Sequence, residues 1–191
     1  MFSRTPRFFL PRGPVLAVLL AAALALVVHV RPMTKLWFYD LTGDGIPEKI
    51  VLLEVVPETY TLYVEQDGTV LWRSYTLALT HPGYGSYFLY QNGGTTAILE
   101  YNPAMWQGLA TYTYKLFDLS NGQETILAQN ETDFSLWPIG GEPWSDKNQA
   151  FADEVNTLMD HSTLLVSTLE GDLCIGGPGS PWHCVPPEPE E

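Results

Sequence analysis

The sequence predicts a mainly β protein (α+β, with one C-terminal helix), an antiparallel meander forming a sandwich or open barrel behind an N-terminal transmembrane helix. Three observations predict it. From Lys35 onward, short β-prone runs are separated by turn dipeptides such as Asp67-Gly68 and Asn121-Gly122. One stretch after Ser145 switches to helical spacing of its apolar residues. The first 31 residues place arginines around a long apolar run, the pattern of a membrane anchor.

Residues 1–14 form a basic stub with Arg4, Arg7 and Arg12, read as cytoplasmic. Residues 15–31 follow as the anchor. Val15 to Val30 is apolar except for His29 and would span about 24 Å as a helix, slightly short of the roughly 30 Å hydrocarbon core. Snorkelling of Arg12 and Arg31 covers the shortfall. The arginines ahead of the run place the N-terminus inside and the remainder outside. A cleaved signal peptide, yielding a secreted protein, is the alternative, because Ala23-Leu24-Ala25 has the small-x-small pattern. That pattern lies within the apolar run, so an uncleaved, single-pass signal anchor is the preferred reading.

Residues 32–184 are expected to be one extracytoplasmic β-rich domain. The predicted strands are Leu36–Leu41, Glu48–Val55, Tyr60–Glu65, Thr69–Tyr75, Ser86–Gln91, Thr95–Tyr101, Ala110–Leu119 and Glu124–Asn130. Alternation is clearest at Thr111-Tyr112-Thr113-Tyr114-Lys115, with aromatics on one side and Thr/Lys on the other. Asp67-Gly68, Asn92-Gly93-Gly94 and Asn121-Gly122 favour the positive φ of tight hairpins. Ser145 then suits a helix N-cap, and Phe151, Val155, Leu158 and Met159 form a stripe for core packing. Thr163–Leu169 and Leu173–Ile175 are the last predicted strands, and residues 185–191 (PPEPEE from Pro186) read as a disordered acidic tail.

The most specific stretch is Asp40-Leu41-Thr42-Gly43-Asp44-Gly45-Ile46-Pro47-Glu48. Oxygen groups at positions 1, 3 and 5, a glycine at 6, a carbonyl at 7 and an acid at 9 can converge on a hard cation. Those positions are Asp40, Thr42, Asp44, Ile46 through its C=O, and Glu48. An EF-hand would need a glutamate at position 12, which is Val51, and strands rather than helices flank the turn. Strand, D-x-T-G-D-G-x-P-E, then the apolar Lys49–Leu53 strand resembles the FG-GAP/VCBS repeat of integrin-α-like β-propellers, here in an exported protein of bacterial type. The resemblance implies calcium ligation by Asp40, Asp44 and Glu48, supported by Thr42 and the Ile46 carbonyl. It covers about twenty residues and occurs once. A complete propeller of four or more blades needs far more chain. With three carboxylates the expected affinity is ~0.1–1 mM, as in extracellular modules. The alternative is a glycine-rich hairpin with solvated acids and no metal.

Cys174 and Cys184 enclose a Gly/Pro-rich loop, and outside the membrane they are expected to form a disulfide. A Cys174–His183–Cys184 metal site would lack a fourth ligand. Segment 101–108, with Tyr101, Asn102 and Trp106, is the candidate binding loop, because it joins two strands without a hairpin dipeptide. Trp137, Trp144, Trp182 and Tyr84 could add aromatic contacts for a protein or glycan, or could cap the core.

Composition bounds the function. The 191 residues are 46% hydrophobic and 13% aromatic, which excludes a disordered chain. The net charge of -13 divides into +4 over residues 1–31 and -17 over the rest, which argues against a nucleic-acid partner. No nucleophile elbow, zinc-protease motif, phosphate loop or dinucleotide fingerprint is present, so no catalytic residue or organic cofactor is assigned. The expected role is a membrane-anchored extracytoplasmic binding module stabilised by calcium. The alternatives are a cell-envelope glycan hydrolase using acids such as Glu100 and Asp118, or a structural accessory subunit of an envelope complex.

Overall fold

The computed structural model describes residues 34–80, 82–106, 108–135 and 145–176. The expected basic stub, anchor and acidic tail lie outside these residues, as do Cys184, Trp137, Trp144 and Trp182. Among the described residues no helix is long and apolar enough to cross a membrane.

Two antiparallel sheets account for the strands. The first is a meander of β1 (Thr34–Tyr39), β2 (Glu48–Val56), β3 (Thr59–Gln66) and β4 (Thr69–Arg73), with β5 (Leu77–Ala78) also pairing with β3. The second comprises β6 (Ser86–Asn92), β7 (Thr95–Trp106), β8 (Leu109–Asp118), β9 (Thr125–Ser135), β10 (Ser162–Ser167) and β11 (Cys174–Ile175), in the order β11-β10-β6-β7-β8-β9. The single described helix, α1 (Asp146–Met159), stands between β9 and β10. The mainly β expectation holds, with two antiparallel sheets and no closed barrel among the described residues.

Turn chemistry sets the hairpins. Asp67 and Gly68 have φ of 50° and 80°, and Gly93 and Gly94 have 59° and 86°, so both connections bend as the dipeptides predict. The β2–β3 turn uses Pro57-Glu58, with Glu58 at φ 62°, a left-handed conformation that is costly for a side chain with a Cβ. Asn121-Gly122 does not form the expected tight hairpin. Residues Ser120–Gly122 make a 3-10 turn, and Asp118 Oδ1 accepts the Ser120 N–H at 3.2 Å.

Side-chain alternation produces two cores. One lies between the sheets, where Ile50, Leu52, Leu62, Val64 and Trp72 meet Tyr87, Leu89, Ile98, Phe117 and Val166. The other lies on the opposite face of the second sheet, where Phe88, Leu99, Tyr112, Tyr114 and Phe134 pack against Phe151, Val155 and Met159 of α1. The architecture is therefore three layers: sheet, sheet, helix. β6 shows the consequence, because Ser86, Tyr87, Phe88 and Leu89 are all buried, alternating between the two cores.

The helix stripe packs into the core as expected, with Phe151, Val155 and Met159 buried. Fourteen residues give a helix of about 21 Å, and the four strand spacings separating β9 from β10 total about 19 Å. The helix is thus long enough to return the chain across the second sheet. Its start is fixed by Asn148, which is 1% exposed. The Asn148 amide oxygen accepts from Ser145 N at 2.7 Å and Ser145 Oγ at 2.6 Å, while its Nδ2 donates to Thr132 Oγ1 at 2.8 Å and the Asp133 carbonyl at 2.9 Å.

The expectation of a binding loop at Tyr101, Asn102 and Trp106 is corrected. β7 continues through Trp106 and pairs with β8 in unbroken register from Ile98↔Phe117 to Trp106↔Leu109, so residues 101–106 are strand, not loop. Pro103 is tolerated because β6 pairs with β7 only as far as Tyr101, leaving that side open. Tyr101 is 3% exposed, and its ring meets Tyr112 edge-on at 6.1 Å. β9 likewise runs five residues past the predicted end at Asn130, because Thr132 and Phe134 continue its buried alternation.

Candidate metal centre

The acidic turn is the connection between β1 and β2, whose register ends at Tyr39↔Glu48. Gly43 and Gly45 have φ of 78° and 83°, so the chain doubles back at Gly45, the position-6 glycine that the spacing singled out, and at Gly43 before it. Asp40 gathers the turn by accepting Gly43 N–H on Oδ1 at 2.7 Å and Gly45 N–H on Oδ2 at 2.9 Å. Asp44 Oδ1 accepts the Ile46 N–H at 2.7 Å.

Glu48 is the anchor. Its side chain is fully buried at the first position of β2, where Oε2 accepts Leu41 N–H at 2.5 Å and Thr42 N–H at 3.2 Å. Its Oε1 accepts Thr42 Oγ1–H at 3.0 Å and Gln66 Nε2–H at 2.8 Å. Gln66 also donates to Asp44 Oδ2 at 2.9 Å, so one amide group from the end of β3 bridges two carboxylates. The Asp44 carboxyl is held below its ordinary range, chiefly by the Ile46 N–H and then by Gln66.

One carboxylate oxygen from each of Asp40, Asp44 and Glu48 lies within 4.8 Å of the others. Two oxygens on one calcium, each at 2.3–2.6 Å, stand at most about 5 Å apart, so the three fit a single ion of that size. Each carboxylate oxygen has two lone pairs, so Asp40 and Asp44 keep capacity for a cation, whereas each Glu48 oxygen already accepts two hydrogen bonds and would exchange one of them for the ion. Among the described residues no lysine or arginine forms an ion pair with these acids, and Lys49 pairs instead with Glu65 at 3.6 Å. The negative charge meets only N–H and O–H dipoles. Thr42 lies in the turn with its hydroxyl committed to Glu48, and the Ile46 side chain is 54% exposed.

The other sequence-derived candidates do not join this cluster. Cys174 is exposed on β11, and its expected partner Cys184 lies outside the described residues. Glu100 and Asp118 fall on opposite faces of the second sheet, since Glu100 shares the face of Ile98 and Asp118 that of Leu116. They cannot act as a carboxylate pair on one glycosidic bond.

Gln66 is the site residue that sequence reasoning missed. It lies 18 positions from Glu48, and only the β2–β3 register, with Lys49↔Glu65, brings it alongside. No family model, curated protein or solved structure matches the chain.

Proposed function

We propose that the chain is a membrane-anchored, extracytoplasmic interaction module whose β1–β2 turn binds calcium as a structural staple. The observation that carries the metal reading is the convergence of Asp40, Asp44 and Glu48 oxygens within 4.8 Å on a turn fixed by two positive-φ glycines. The anchor reading rests on the arginine-flanked apolar run of residues 15–31. An ion at this turn would tie β1 to β2 and, through Gln66, to β3. At roughly 1 mM calcium and a dissociation constant of ~0.1 mM, occupancy adds about 1.4 kcal/mol of stability. It is a staple for a binding surface, with no catalytic part.

The test is thermal unfolding in millimolar calcium against chelator. The parent should melt higher in calcium, and Asp44→Ala should abolish the difference. Equal melting temperatures in the two buffers would refute the metal reading. Pull-down from solubilised membranes tests the interaction reading separately, through recovery of a stoichiometric protein or glycan partner.

A further inference from the structure

A second set of polar contacts, sharing no residue with the acidic turn, joins the two sheets at the β4–β5 side. Trp72 on β4 donates its Nε1–H to Glu124 Oε2 at 2.9 Å. Lys115 on β8 reaches Glu124 Oε1 at 3.1 Å and Glu100 Oε2 on β7 at 3.5 Å. Tyr87 on β6 donates its hydroxyl to Glu100 Oε2 at 3.3 Å. The Tyr87 ring in turn meets Tyr75, which lies between β4 and β5, at 5.7 Å, and Trp72 at 5.6 Å. The chain of contacts begins and ends on the first sheet's edge and runs through three strands of the second.

We propose that Glu100, Lys115 and Glu124 form a latch that holds the β4–β5 edge onto the second sheet and tightens in acid. One lysine serves two carboxylates, so the group carries a net negative charge when both are ionised. The least exposed member is Glu100, at 17%, against 27% for Lys115 and 33% for Glu124. A proton taken by Glu100 removes its repulsion with Glu124. Lys115 then turns wholly to Glu124, whose other oxygen holds Trp72, and so the tie across the sheets strengthens.

The groups facing Glu100 set the direction. Burial raises the Glu100 carboxyl above its ordinary value, Lys115 and the Tyr87 hydroxyl pull it down, and Glu124 pushes it up again. Tyr75 and Tyr87 are both pushed far above the ordinary phenol value, mainly by burial, and stay neutral throughout. Glu131 of β9 lines the same depression as Glu100 and Lys115, adding negative charge nearby. A carboxyl raised in the folded state takes up its proton before the unfolded chain does. Its contribution is fully present below the unfolded value and is lost as pH rises through the folded one.

The experiment is hydrogen exchange on the full chain from pH 4.5 to 7.5, corrected for intrinsic rates, with urea midpoints alongside. In the parent, protection of the β4 amides should rise on acidification more than that of β10. Glu100→Gln keeps the Tyr87 contact but cannot ionise, and should hold β4 at its acid-side protection across the range. Lys115→Met should move the parent's transition to higher pH, because it removes the main influence lowering Glu100. Parallel pH profiles for parent and Glu100→Gln, or equal changes at β4 and β10, would overturn the proposal. Should Lys115→Met fail to fold, the Glu100→Gln comparison still decides it.

Discussion

Glu48 separates two roles for the acidic turn, and replacing it by alanine measures them independently. The side chain is fully buried and accepts hydrogen bonds from Leu41 N, Thr42 N, Thr42 Oγ1 and Gln66 Nε2. Deleting it orphans the buried Leu41 N–H, at about 1–3 kcal/mol, and removes charge-assisted bonds worth roughly 1.5–3 kcal/mol each. Thr42 and Gln66 are part-buried and recover some of this from water. The expected loss for Glu48→Ala is about 3–5 kcal/mol, and it should appear in full in chelator, where no ion contributes. For a domain of this size that corresponds to a fall in melting temperature of roughly 6–20 °C. Urea unfolding in chelator reads it directly. A variant within about 0.5 kcal/mol of the parent there would refute the argument that the carboxylate organises the turn without metal.

Three further outcomes are expected. The Asp44 carboxyl is depressed by the Ile46 N–H and Gln66, so its stabilising contribution is present above the ordinary carboxylate value and disappears as pH falls through the lowered one. In chelator, Asp44→Asn should therefore lose less stability than the parent as pH falls below about 4, as followed by circular dichroism. Asn148→Ala removes the link from α1 to Thr132 and Asp133 and should cost about 2–4 kcal/mol in urea unfolding. Glu58→Gly relieves the left-handed φ of 62° at the β2–β3 turn and should change stability by no more than about 1 kcal/mol, in the stabilising direction, as read by the urea midpoint.

Strand positions were legible where turn chemistry punctuated them, as at Asp67-Gly68 and Gly93-Gly94, where the backbone has the positive φ those residues favour. Strand ends were less so. β7 and β9 each extend five residues beyond their predicted limits, because pairing with β8 supplies hydrogen bonds that no local propensity announces. The third layer had a readable sign in the uninterrupted Tyr87-Phe88-Leu89 run, which suits a strand covered on both faces. In the acidic turn, the converging residues followed from spacing alone. The Gln66 bridge and the Trp72–Glu124 contact did not, since both depend on strands brought together by the fold.

The double coverage of the second sheet has a consequence for synthesis. The hairpins β6–β9 form from nearby sequence, yet their helix-facing side, with Phe88, Leu99, Tyr112 and Phe134, stays bare until α1 has emerged. β10, which pairs with β6, follows about seventy residues later. A nascent chain halted between Ser135 and Asp146 would display a wide, sticky aromatic sheet to its neighbours. Chain growth past Met159 lets α1 cover that aromatic side, and β10 then closes the β6 edge and adds Leu165 and Val166 to the core between the sheets.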